Sequence, residues 1–125
     1  MSVSGTERND EVAALPISEA TRRLIAVLGP TLVATLAGSK LRSAPREWAK
    51  HNGPTPDPAA AERLRFGYEQ CRRVSASEGD GVARAWFIGG NPWLGDSTAV
   101  TAIREGRFEE VSIAVQAQLD DSFDE

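Results

Sequence analysis

The segment ISEATRRLIAVLGPTLVATLAG, residues 17–38, has the pattern of two consecutive α-helices. From its first residue to Leu28, apolar or small side chains recur every three or four positions, which is the spacing of one helix face. Gly29 ends this helix, and Pro30 begins the next one because proline is tolerated in a first helical turn. Gly38 then ends the second helix.

The rest of the chain continues this helical character. No segment shows the period-two alternation that a half-buried strand requires. Further helices are predicted over residues 43–51, 58–74, 82–87, 98–105 and 107–119. The sequence therefore predicts an all-α fold, a small helical bundle in which the glycine-rich segment 89–95 is a loop.

Charge is distributed unevenly along the chain, whose net charge is −4. Residues 40–73 hold eight basic and four acidic side chains, whereas residues 74–125 hold three basic and ten acidic ones. A basic middle and an acidic end indicate two surfaces with different partners, and the basic one is a candidate for nucleic acid. The alternative is that both are ordinary solvated faces.

Length and composition narrow the class of protein. A chain of 125 residues is long enough for one domain, or for two small halves with a shared core. A single cysteine, Cys71, excludes an internal disulfide and is typical of a reducing compartment. The polar N-terminus has no apolar run, so we expect no signal peptide. These features predict a soluble, cytoplasmic protein in which residues 1–15 are a disordered arm.

No group of residues in the sequence has the spacing of a catalytic or metal site. The only histidine, His51, has no nucleophile or further ligand near it in sequence. The glycines between residues 79 and 95 lack the Gly-Lys-Ser/Thr continuation of a phosphate-binding loop. Adjacent carboxylates in the last helix diverge by about 100°, so they do not converge on a substrate. We therefore expect no enzymatic activity, no cofactor and no metal.

Residues 31–51 have the layout of a helix-turn-helix, with two short helices around a glycine-containing turn. The candidate DNA-binding residues are Lys40, Arg42, Ser43, Arg46 and Lys50. Ser43 and Arg46 begin the second helix and would contact base edges, while the other three would contact flanking phosphates. The alternative is an ordinary helical corner in a bundle.

The last third of the chain carries a separate motif. In order, it consists of Trp86-Phe87, the loop Asn91-Pro92-Trp93-Leu94-Gly95, then Gly106-Arg107 and Val111. This pattern resembles the C-terminal toxin-binding domain of Xre/MbcA/ParS-type antitoxins, whose motif runs Trp-aromatic, Pro-Asn-x-x-Leu-Gly-Gly and Gly-x-x-x-x-Val. Two positions differ: Gly90 replaces the first proline, and Asp96 replaces the second glycine of Leu-Gly-Gly.

The resemblance extends upstream. The segments 42–53 and 62–64 are similar to the degenerate helix-turn-helix and the linking helix of the same family. The resemblance therefore covers about residues 20–120. The proline that the family usually has near position 99 is missing from this sequence.

Members of this family are antitoxins of type II toxin–antitoxin systems, encoded beside a RES-domain toxin that destroys NAD. The resemblance implies that residues 16–74 form a helix-turn-helix-like region for operator binding and dimerisation. It implies that residues 75–125 form a toxin-binding domain that covers the NAD pocket of the toxin. The toxin-binding residues it indicates are Asn91, Pro92, Trp93, Leu94, Gly95 and Arg107. The alternatives are a helix-turn-helix transcriptional regulator without a toxin partner and a helical adaptor.

The sequence leaves the positions of some side chains of the motif open. Trp93 is either a plug for the local core or an anchor at an interface, whereas Trp86 is expected in the core. Arg107 either caps a carbonyl near Gly95 or reaches toward the toxin's substrate pocket.

Three apolar side chains lie off the main stripes of their helices: Ile113, Ala117 and Phe66. An apolar side chain outside the main stripe indicates a second neighbour. For the last helix we expect the toxin or another antitoxin subunit, and for Phe66 a dimer contact.

Overall fold

The computed structural model describes residues 15–124, and the side chains of residues 15–121. In this part of the chain seven α-helices follow one another with no strand between them, which confirms the predicted all-α class. They are α1 (Ile17–Leu28), α2 (Pro30–Ala37), α3 (Ala44–Trp48), α4 (Pro58–Glu78), α5 (Asp80–Ile88), α6 (Ala99–Arg104) and α7 (Phe108–Asp124), with a 3₁₀ turn at Pro92–Leu94. The predicted disordered arm lies, except for Leu15, outside the described residues.

The central helix is α4, which contacts α1, α2, α5, α6 and α7. Its inner face includes Leu64 and Val74, both completely buried. Gly67 lies on the same face, where a Cβ atom would be 3.0 Å from the Cδ1 atom of Leu36 in α2. Glycine lowers the intrinsic stability of a helix interior, but here it allows α2 and α4 to pack in close contact.

A single hydrophobic core includes residues from both predicted regions. Leu24 and Leu28 of α1 belong to the same buried cluster as Val111 and Val115 of α7. The boundary predicted between residues 74 and 75 lies inside α4, which is continuous over its 21 residues. The two regions therefore share a helix and a core.

Three arginines bind carbonyl oxygens at the C-terminal ends of neighbouring helices. Arg22 donates to Ala49 at 2.6 Å, Arg84 to Leu28 at 2.7 Å and Arg63 to Ala37 at 3.3 Å. The last carbonyls of a helix lack intrahelical partners, and a cation is favourable at that end of the helix dipole. These guanidinium groups therefore tie α1, α2 and α3 to the elements packed beside them.

Several predicted helix ends differ from the structure. Instead of spanning residues 43–51, α3 has five residues and ends at Trp48. Ser43 precedes it with helical backbone angles and makes no capping hydrogen bond with its side chain. Lys50 and Gly53 then form a backbone-bonded turn instead of continuing the helix. The predictions for α4 and α7 were too short at their C-terminal ends, by four and five residues.

Candidate protein-binding surface

Residues 90–98 form a turn between α5 and α6, called the Asn91 turn below, whose ends pair through a β-bridge. The Asn91 side chain is buried, and its Oδ1 accepts a hydrogen bond from the backbone N–H of Trp93 at 2.9 Å. Its backbone carbonyl accepts from the N–H groups of Leu94 and Asp96, both at 2.9 Å. One asparagine therefore satisfies three backbone donors and holds the turn in a defined conformation.

Two consecutive residues close this turn with positive φ angles, 64° at Gly95 and 68° at Asp96. Glycine enters this left-handed region without a steric penalty, and aspartate is one of the few other residues that adopt it. Asp96 therefore fits the backbone that the turn requires. Leu94, just before them, is buried in the core.

Arg107 connects the Asn91 turn to the start of α7. Its Nη2 atom donates to the carbonyl oxygen of Leu94 at 3.0 Å. The same guanidinium forms salt bridges with Glu110 at 2.8 Å and Glu105 at 3.2 Å, and these hydrogen bonds raise the pKa of Arg107. Of the two interpretations of Arg107, the carbonyl cap is confirmed, and the side chain is held by three partners within its own chain.

The two tryptophans of the motif differ in exposure. Trp93 leaves 61% of its surface exposed, so it is not a plug for the local core. Trp86 is half-buried, and its ring packs edge-on against the fully buried Phe87, with centroids 5.4 Å apart. The core prediction for Trp86 therefore holds for only part of the ring.

A groove of about 330 Å³ lies between the Asn91 turn and α7, and is called the tryptophan groove below. It is lined by Trp86, Gly90, Asn91, Pro92, Trp93, Ala114, Ala117, Gln118 and Asp121. Ala117 was predicted to contact a second neighbour, and the Asn91 turn, across the groove, is one such neighbour. Ile113, one turn before Ala117, is 49% exposed beside this lining.

Four α7 positions in this lining form one helix face, because residues 114, 117, 118 and 121 follow the i, i+3, i+4, i+7 spacing. Sequence reasoning found only Ala117 among them. The predicted helix ended at residue 119, and a face composed of two alanines, a glutamine and an aspartate has no hydrophobic signal. The spacing itself was a signal that could have identified Ala114, Gln118 and Asp121.

The candidate DNA-binding residues Lys40, Arg42, Ser43, Arg46 and Lys50 are all exposed, on the α2–α3 turn and on α3 or just after it. Lys50 forms a salt bridge with Glu47 at 2.9 Å. Trp48, on the other side of α3, packs half-buried against the core. The corner therefore presents basic groups to solvent. The helix that would enter a DNA groove has only five residues, fewer than the sequence predicted.

Phe66 has a partner within the chain. Its ring stacks on that of Phe108 with centroids 4.4 Å apart and an interplanar angle of 14°. Phe108 is the first residue of α7, so this pair holds the helix beside α4. A dimer contact is not needed to explain the off-stripe position of Phe66.

His51 and Cys71, the residues with reactive side chains outside this surface, lie in different surroundings. His51 is exposed in the turn after α3. Cys71 is buried, and burial raises the pKa of its thiol to about 11, which disfavours the reactive thiolate at neutral pH. Within the part of the chain that the structure describes, no three His, Cys, Asp or Glu residues are grouped to hold a metal. None of the described helices has the length and apolarity needed to cross a bilayer.

In comparisons with known proteins, no family model, no curated protein and no solved structure matches the chain. The link to antitoxins therefore depends on the motif residues themselves. Of these, Asn91 and Leu94 are buried and Gly95 has a positive φ, which are local structural roles. Trp93 lacks such a role in the described fold, since most of its ring is exposed.

Proposed function

We propose that this protein is an antitoxin that binds a NAD-consuming RES-domain toxin through the Asn91 turn and covers the toxin's NAD pocket. The observation that carries the proposal is the 61% exposure of Trp93 on a turn whose backbone is held by hydrogen bonds. Tryptophan is enriched among the few residues that carry most of the binding energy of protein interfaces. The resemblance of the surrounding motif to toxin-binding domains supports the choice of partner.

Preorganisation of the turn favours tight binding. Asn91 and Arg107 together occupy the backbone groups that would otherwise leave the turn free to rearrange. A side chain presented by a fixed backbone loses less conformational freedom on binding than one presented by a mobile loop. Trp93 is therefore placed to enter an apolar pocket at a small entropic penalty.

Charge supports the same partner. NAD carries a negatively charged pyrophosphate, so a pocket that binds it needs cationic groups. The last third of this chain is strongly acidic, and Asp121 lines the tryptophan groove while Asp96 is exposed in the Asn91 turn. Carboxylates on this surface would meet the cationic pocket that otherwise receives the pyrophosphate.

The test is a kinetic assay of NAD loss by the toxin encoded in the adjacent reading frame, titrated with the full-length chain. We expect inhibition that weakens as the NAD concentration rises, because substrate and antitoxin compete for one pocket. Inhibition that does not depend on the NAD concentration would contradict coverage of the pocket. A failure of the two proteins to form a complex would contradict the antitoxin assignment itself.

A second function, binding of operator DNA by the corner around α3, is favoured by its exposed basic residues. Arg46 lies on α3, and Lys40 and Arg42 precede it on the turn. These side chains would neutralise phosphates, and such binding weakens steeply with added salt. Should it occur without any toxin complex, the alternative of a helix-turn-helix regulator would be the better description.

A further inference from the structure

One side of α5 carries no charged side chain. With about 100° between successive residues, Gly81, Val82, Ala85, Trp86 and Ile88 share one side of the helix, called the outer face of α5. Val82 is 42% exposed and Ile88 is 44% exposed. The opposite side carries the buried Ala83 and Phe87. A surface helix ordinarily places charged residues toward solvent, so this face has the composition of a contact surface.

The outer face of α5 is continuous with the tryptophan groove. Trp86 belongs to both, because it lies on this face of the helix and also lines the groove. A specific interface needs about 20 residues from each partner, more than either the turn or the helix supplies alone. Together they form one apolar surface from Val82, through the two tryptophans, to Ile113 on α7.

The charges near this surface are mainly acidic. Asp96 is exposed in the Asn91 turn and Asp121 lines the groove. The one cation on α5, Arg84, is exposed one turn before Ile88 and donates to the carbonyl oxygen of Leu28 at 2.7 Å. Two copies of this chain joined through the surface would bring like charges together, whereas a partner with Lys and Arg around an apolar patch would complement it.

We propose that the outer face of α5 and the Asn91 turn form a single docking surface for one partner, an apolar patch surrounded by basic side chains on the toxin. This inference rests on the proposed function, since the partner is the toxin that receives Trp93. It extends the binding surface beyond the motif to Val82, Ala85 and Ile88, residues that the resemblance does not indicate.

The experiment measures toxin binding by full-length Val82→Asp and Ile88→Asp, with Ala59→Asp as the control. Ala59 is exposed in the first turn of α4, so the control adds the same charge outside the surface. We expect each α5 variant to bind about tenfold more weakly or worse, because a charge is then buried at an apolar contact. The control should bind as the wild type does, and circular dichroism and melting temperature should be unchanged in all three.

The outcomes separate the two proposals. Wild-type affinity in both α5 variants, together with weakened binding by Trp93→Ala, would overturn this inference and leave the proposed function intact. Absence of any wild-type complex would overturn both. A wild-type dimer that Val82→Asp dissociates in sedimentation would assign the face to a second copy of the chain and overturn the inference as well.

The basic character of the partner is tested with Asp121→Asn. We expect a lower association rate and a weaker dependence of that rate on salt, because complementary charges accelerate encounter more than they strengthen the final complex. An association rate that rises on removal of this carboxylate would contradict a basic rim on the toxin.

Discussion

Arg107 Nη2 and the carbonyl oxygen of Leu94, 13 residues apart in sequence, are joined by a hydrogen bond of 3.0 Å. The acceptor ends the 3₁₀ turn of the proposed binding loop, and the donor directly precedes α7. Glu110 and Glu105 hold the guanidinium on its other sides. The position of the loop on α7 therefore depends on a side chain that is already bound by three partners within its own chain.

We expect Arg107→Gln to loosen the Asn91 turn while leaving the helices folded. The charge-assisted bond to Leu94 and both salt bridges are lost, so the turn is no longer fixed before binding. Toxin binding should weaken by roughly three- to tenfold, with a modest fall in melting temperature. Titration calorimetry with the toxin measures the effect, and Arg104→Gln, at an exposed position of α6, is the control. Equal affinities for the two variants would contradict a positioning role for Arg107.

The DNA-binding proposal predicts two distinct patterns of loss. Arg46→Ala should weaken operator binding by about 1–3 kcal/mol and leave non-specific binding largely unchanged, because a base contact is removed. Lys50→Ala should weaken specific and non-specific binding together and reduce the salt dependence, as loss of a phosphate contact does. Gel-shift titrations at several salt concentrations distinguish these patterns. If neither the protein nor its toxin complex shows a salt-sensitive shift of its promoter, the regulator role is wrong.

The fold was predictable where periodicity and strong helix-ending signals coincide. Thr21, Leu24 and Leu28 are buried on α1 as their spacing predicts, and Gly29 and Gly38 have positive φ angles at the helix ends. Helix ends that consist of polar residues were not predictable. Beyond residue 74, α4 continues because nothing breaks it before Gly79, but its last polar residues contribute no apolar period.

The candidate binding surface was predictable only as a motif. The pattern located Asn91, Leu94 and Gly95, whose roles are local to the turn. The exposure of Trp93 depends instead on how the turn lies against α7, a contact between elements distant in sequence. The sequence alone shows that one side of α5 has no charged residue. Only the burial of Ala83 and Phe87 shows that this side faces solvent.

Cys71 predicts a loss of stability in alkaline solution. Burial raises the pKa of its thiol to about 11, so the folded state holds the proton more tightly than the unfolded state. The stabilisation is complete below the ordinary thiol pKa and is lost as the pH rises through about 11, on the order of 2 kcal/mol in all. Urea unfolding at pH values on both sides of this window measures it, with Cys71→Ala as the reference. An identical alkaline loss in the variant would assign the effect to other groups.

Trp93 and Leu94 are adjacent, but we expect their replacement by alanine to change different properties. The first should change toxin binding, and the second should change the stability of the fold. Trp93 is 61% exposed, so Trp93→Ala should change the free energy of unfolding by less than about 0.5 kcal/mol. It should nevertheless weaken toxin binding by about 2 kcal/mol, roughly 30-fold, because an aromatic anchor is lost. Leu94 is buried, so Leu94→Ala should lower the free energy of unfolding by about 2–4 kcal/mol through the cavity it leaves.

Leu41→Ala, which removes another exposed apolar side chain at the α2–α3 corner, should change neither toxin binding nor the free energy of unfolding. Urea denaturation and titrated inhibition of NAD loss measure the two quantities separately. Inhibition that survives Trp93→Ala at wild-type strength would show that the exposed ring is not the anchor, and the proposed mode of toxin binding would fail with it.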